Sequence, residues 1–135
     1  MAFSASFSQD TTPVNIGQNK PIPFSHVSTN TGNGYNPHTG IFTAPTSGLY
    51  AFYMTAREHT TTRSYIVIGI LHSGTELCQT VVEGTNTASW DKGSCFAAVR
   101  LNGGDEVHVQ RIAGSDVIDK GWQTAFSGML ISADL

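Results

Sequence analysis

Apolar and polar positions along this chain group into short runs that alternate or fill both faces, and nowhere recur every third or fourth residue over a helical length. Runs rich in β-branched and aromatic residues, bounded by Gly, Pro, Asn or Asp, predict strands at Ala2–Phe7, Ile22–Val27, Gly40–Ala44, Gly48–Arg57, Ser64–His72, Thr75–Val82, Cys95–Leu101, Glu106–Ile112 and Thr124–Ser132. The breaks between them have chemical reasons. Asn33-Gly34 and Asn102-Gly103-Gly104-Asp105 supply residues that accept positive φ. Pro45-Thr46-Ser47-Gly48 interrupts a ladder because proline donates no backbone hydrogen bond. So many short strands with turns between them predict one all-β domain over residues 1–135, a sandwich or jelly roll.

The faces of these strands differ. Glu106-Val107-His108-Val109-Gln110 alternates strictly, so one face meets a core and the other meets water. Gly48–Ala56 and Tyr65–Leu71 are apolar on both faces. A sandwich buries only one face of each strand, and no helix is predicted that would cover the other. Another subunit is the cover this pattern calls for, the alternative being a ragged monomeric surface.

Composition supports the β reading and narrows the partners. Only 13% of residues are charged, against roughly 25% in an average domain. Ser, Thr, Gly and Asn replace the long charged residues that helical surfaces carry. The net charge of −3, with seven scattered Lys and Arg, offers no footprint for nucleic acid or for an anionic membrane. The longest apolar run, Tyr65 to Leu71, is too short to insert as a spanning helix. Met1-Ala2-Phe3-Ser4 has no basic segment followed by a long apolar one, so it does not read as a secretory signal.

No catalytic constellation is visible. The five histidines are dispersed, and no nucleophile elbow or phosphate-cradling loop occurs, so the chain is not expected to be an enzyme. The densest ionisable cluster is Arg57-Glu58-His59 with Arg63. It is either a solvated loop or a binding loop whose arginines hold sialate or phosphate in bidentate fashion. Trp90 beside Asp91 is what a sugar face and its hydroxyls would use, unless the indole simply covers the edge of the core. A third candidate is the loop Ala113–Gly121, with Asp116, Asp119 and Lys120. Cys78 and Cys95 are either two buried thiols or a bridge. A bridge would close a loop of about 17 residues and contribute roughly 3 kcal/mol.

Phe24, Asn30, Tyr35, Phe42, Gly48, Tyr50 and Phe52 fall at spacings that resemble the signature of the C1q domain, with Met54 in a place usually held by Phe or Tyr. Ala2-Phe3-Ser4-Ala5, Gly104-Asp105-Glu106-Val107 and Phe126-Ser127-Gly128-Met129-Leu130-Ile131 extend the likeness over nearly the whole sequence. The resemblance implies a ten-stranded jelly roll of the tumour-necrosis-factor type, assembled as a homotrimer. It further implies a secreted recognition protein, read here as a lectin-like pattern-recognition module for microbial or cell-surface glycans. The other reading it leaves is a trimeric signalling ligand for a protein receptor. No Gly-X-Y run or heptad is present, so the chain is expected to be a head without its stalk. By the same likeness Glu83 and Asp91 fall near positions where some relatives hold Ca2+ close to the trimer axis, making calcium a candidate cofactor.

Overall fold

The computed structural model describes residues 1–7, 13–60, 64–84, 89–115, 117–119 and 124–135. Its strands are β1 (Ala2–Ser6), β2 (Pro13–Asn15), β3 (His26–Thr31), β4 (Tyr35–Asn36), β5 (Ile41–Thr43), β6 (Gly48–Thr60), β7 (Ser64–His72), β8 (Thr75–Gly84), β9 (Ser89–Leu101), β10 (Glu106–Gly114), β11 (Val117–Asp119) and β12 (Ala125–Ala133). Ten of them form two five-stranded antiparallel sheets, ordered β3-β1-β12-β6-β9 and β4-β5-β10-β7-β8; β2 and β11 make a separate ribbon. The described residues contain no helix.

The core lies between the two sheets and is built by alternation. In β1, Phe3 and Ala5 point inward; in β6 it is Tyr50, Phe52, Met54 and Ala56; in β7 it is Ile66, Ile68 and Ile70. Rings interlock at its centre. Phe3 stacks on Tyr35 at 4.9 Å and on Phe42 at 5.2 Å, and meets Phe126 edge-on at 5.0 Å. Gly128, in a strand of larger residues, is explained here: a Cβ would lie 2.6 Å from the Phe3 ring and 2.7 Å from that of Phe52. Cys78 on β8 and Cys95 on β9 form a disulfide, with Cα atoms 5.9 Å apart. Because β8 and β9 are edge strands of different sheets, the bridge staples the two layers along one side.

Several expected boundaries shift. The run Ile22–Val27 is not one strand: β3 begins at His26, while Ile22 and Phe24 enter the core from irregular backbone. Pro21 and Pro23 flank Ile22 and lack the N–H a ladder needs, and the Ile22 N–H instead donates to the Val109 carbonyl at 2.9 Å. Strands β6 and β9 run past the expected ends because they stay paired through Thr60↔Ser89. The short β2, β4 and β11 carry no strand signal in the sequence.

Candidate recognition surfaces

The register of the sheets sorts the candidate residues by position. Starting from Gly48↔Leu101 at one end, the β6–β9 ladder passes Met54↔Cys95 and reaches Arg57↔Lys92, Glu58↔Asp91 and His59↔Trp90 at the other. Glu58, His59, Trp90 and Asp91 therefore lie on paired strands rather than on the loops expected of them, and Arg57 lies within β6 rather than at its end, because the ladder continues through polar residues. Glu83, exposed, pairs with Tyr65 at the same end of the second sheet. Asp119 is likewise on a strand, β11, where it pairs with Pro13 of β2, so the segment expected as a loop over Ala113–Gly121 is in part a ribbon. Ile118 of that ribbon, and Ile16 just beyond it, are buried. Arg63, Asp116 and Lys120 lie outside the described residues.

The backbone of β6 at this end is tied into the fold. The Arg57 N–H donates to the Thr124 hydroxyl at 3.2 Å, and Thr124 is itself buried. Among the described residues no three His, Cys, Asp or Glu side chains gather as a metal site.

The opposite end is built of tight turns. The Asn102 N–H donates to the Asp105 carboxylate at 2.9 Å, and the Gly103 N–H to the Ser47 hydroxyl at 2.9 Å. Met1 and Asp134 are tied in beside them, through Leu130 N–H to the Met1 carbonyl at 3.2 Å and Asp134 N–H to the Ser47 carbonyl at 2.9 Å. Arg100 and Asp134 form an exposed ion pair, and His72 faces Asp105 at 3.4 Å. Deeper in, the Tyr35 hydroxyl accepts from the Phe24 N–H at 2.9 Å and donates to the Phe24 carbonyl at 3.0 Å. Burial pushes its pKa up from 10.0 to about 12.

A second surface is more pronounced than the sequence suggests. The outward face of the β1-β12-β6-β9 sheet carries Tyr53, Phe96, Met129 and Ile131, which are 45%, 62%, 47% and 52% exposed. Tyr53 pairs with Phe96 and Ala51 with Met129, so these side chains sit side by side across three strands. Together with Ala2, Phe52 and Gly128 they line an open groove of about 540 Å³. The doubly apolar pattern of Gly48–Ala56 signals the β6 share of this face. Phe96, Met129 and Ile131 come from distant segments and join it only through the register.

The fold and the sequence have counterparts among known proteins. The C1q domain family model matches residues 2–131. The chain belongs to the C1q domain family. It is similar to mouse complement C1q tumor necrosis factor-related protein 3, at 32% identity over 84% of this chain and 46% of that protein. It is likewise similar to the B subunit of the human complement subcomponent C1q, at 30% identity over 100% of this chain and 51% of that one. The chain thus spans about half the length of the curated relatives it matches. Among solved structures, the globular domain of zebrafish complement 1qA aligns with a TM-score of 0.71 at 19% identity, covering 98% of both chains. The structure of Eiger TNF from S. frugiperda aligns at 0.62 and 16%, covering 100% of this chain and 96% of that one. Both share the fold, and this C1q domain is accordingly a two-sheet jelly roll.

Proposed function

We propose that this C1q domain is a secreted, homotrimeric recognition module whose ligands are microbial or cell-surface glycans. The observation that carries the assembly is the apolar face around Tyr53, Phe96, Met129 and Ile131. A contiguous apolar patch on a sheet face that none of the described residues covers is energetically costly in water and marks an interface. Cyclic assembly buries three such faces around one axis. The glycan reading is supported by the register, which brings His59 level with Trp90 and Glu58 level with Asp91 at one end of the sandwich. Aromatic rings stack on sugar faces while carboxylates and guanidinium groups hold hydroxyls or sialate. Three copies on one face would turn weak single sites into useful avidity. Calcium would be held by Glu83 and Asp91 of more than one protomer.

Two measurements test this. Sedimentation velocity at micromolar concentration should give a trimer for the wild type and a monomer with an unchanged far-UV spectrum for Phe96→Lys; a monodisperse wild-type monomer overturns the assembly. A glycan array, run in calcium and in chelator, should show selective binding that falls with Trp90→Ala or Arg57→Ala. A blank array in both buffers would transfer the role to a protein receptor.

A further inference from the structure

Two Asn-Gly steps occur in the sequence, Asn33-Gly34 and Asn102-Gly103, and the fold treats them differently. We infer that Asn33 is a site of spontaneous deamidation, a built-in site of covalent ageing, whereas Asn102 is protected.

The chemistry needs an exposed carboxamide and a following backbone nitrogen that is sterically open and free to lose its proton. Asn33 is exposed, and residues 32–34 lie between β3 and β4, outside any ladder. Its own N–H donates to the Asn30 carbonyl at 3.2 Å. Its φ of 53° is in the left-handed region, which Asn tolerates better than most residues. Gly34 is fixed by packing: a Cβ there would stand 2.7 Å from the Phe42 ring and 3.1 Å from the Thr43 carbonyl. The Gly34 carbonyl accepts from the Thr43 N–H at 2.8 Å, but the Gly34 N–H has no hydrogen-bond partner among the described residues. Gly32, at φ 89°, is a second residue of the segment in the left-handed region. Two backbone requirements, a left-handed turn residue and a missing Cβ under a ring, have therefore produced a reactive pair.

At the other step the nucleophile is occupied. The Gly103 N–H donates to the Ser47 hydroxyl at 2.9 Å, and the Asn102 N–H is held by the Asp105 carboxylate at 2.9 Å. Attack at Asn102 requires both the turn and the Ser47 contact to open first.

The reaction at Asn33 balances without an oxidant or cofactor. Base removes the Gly34 amide proton and the nitrogen attacks the Asn33 Cγ, forming a C–N bond. The carboxamide C–N bond of Asn33 breaks and ammonia leaves, carrying the proton. Water then opens the five-membered imide at one of its two carbonyls, leaving an aspartyl or an isoaspartyl residue. Either product adds a negative charge to a protein of net charge −3. The isoaspartyl product also inserts a methylene into the backbone between Asn30 and Tyr35. Those two residues are clamped together, since the Asn30 amide donates to the Tyr35 carbonyl at 2.7 Å and accepts from the Tyr35 N–H at 3.2 Å. Ageing at Asn33 is thus felt beside the buried Tyr35 ring.

The test is to incubate the folded protein in mildly alkaline buffer and follow both peptides by mass spectrometry, with isoaspartyl methyltransferase labelling. Asn33 should convert several-fold faster than Asn102 in the native protein, and the two rates should converge in urea. Ser47→Ala, which frees the Gly103 N–H, should speed conversion at Asn102 without affecting Asn33. Equal or reversed native rates, an inert Asn33, or a difference that persists in the unfolded state would each overturn the inference.

Discussion

Strands β6 and β7 carry apolar residues on both faces, yet the protein deals with their outward faces in different ways. On β7 the cover is largely internal. The Ile112 side chain reaches over Gly69, with its Cδ1 3.0 Å from where a Cβ would be, and Leu71 is only 6% exposed. The register shift between Arg111 and Ala113 takes Ile112 out of the regular ladder, as an extra residue in a bulge does. Tyr65 and Val81 are left half exposed. On β6 no such lid exists among the described residues: Ala51 and Tyr53 open onto a groove whose walls, Phe96, Met129 and Ile131, are themselves exposed. A doubly apolar strand therefore announces a second burial event, but only the neighbouring strands reveal whether the protomer or a partner completes it.

The two faces of β6 are separable by mutation, since Phe52 points into the core and Tyr53 points out. Phe52→Ala should cost about 3–5 kcal/mol, because the rings of Phe42, Tyr50 and Phe126 around it cannot close the cavity. Tyr53→Ala should leave the dissociated protomer close to wild type and act on assembly instead. Urea denaturation at low protein concentration separates the two; a large loss for Tyr53→Ala would mean that its ring belongs to the protomer core.

The staple between the sheets comes next. Replacing Cys78 and Cys95 by Ser should cost about 3 kcal/mol, as expected for a loop of 17 residues. Calorimetry of the double variant and of the reduced wild type should agree.

A smaller effect lies at Tyr35, whose hydroxyl is satisfied at both ends by Phe24. Tyr35→Phe leaves the buried Phe24 N–H without its acceptor and should cost about 1–3 kcal/mol. The same hydroxyl links stability to pH. Its pKa is raised from 10.0 to about 12 in the folded state, so above pH 10 the unfolded protein loses this proton first. The stabilisation is complete below pH 10 and falls as pH rises towards 12. Tyr35→Phe should flatten that part of the pH–stability curve, and an unchanged slope would show that another group controls it.

The parts of the fold that are legible in the sequence are those where burial and alternation coincide. The alternating segment 106–110, the aromatic series from Phe24 to Phe52 and the Pro and Gly breaks all carry a local physical cause. Ile22 and Phe24 mark where this reading fails: their apolarity reports burial, while Pro21 and Pro23 remove the donors a ladder requires. The strand Tyr35–Asn36 and the β2–β11 ribbon are two or three residues long, too short for a period to register. The same limit applies to the surfaces. Chemistry singles out Arg57, His59, Trp90 and Asp91, but their shared end of the sandwich follows from the antiparallel register of β6 and β9. The groove needs three sequence-distant strands to be aligned before it exists.

The two poles of the sandwich have a practical consequence. Met1 and Asp134 are both secured at the pole opposite His59 and Trp90, with the length of β6 between. A fluorophore, an affinity handle or a surface anchor attached beside either residue would sit at the pole opposite the strand ends that carry the candidate ligand-binding residues. Immobilised copies would then share one orientation, presenting the same pole to whatever flows past.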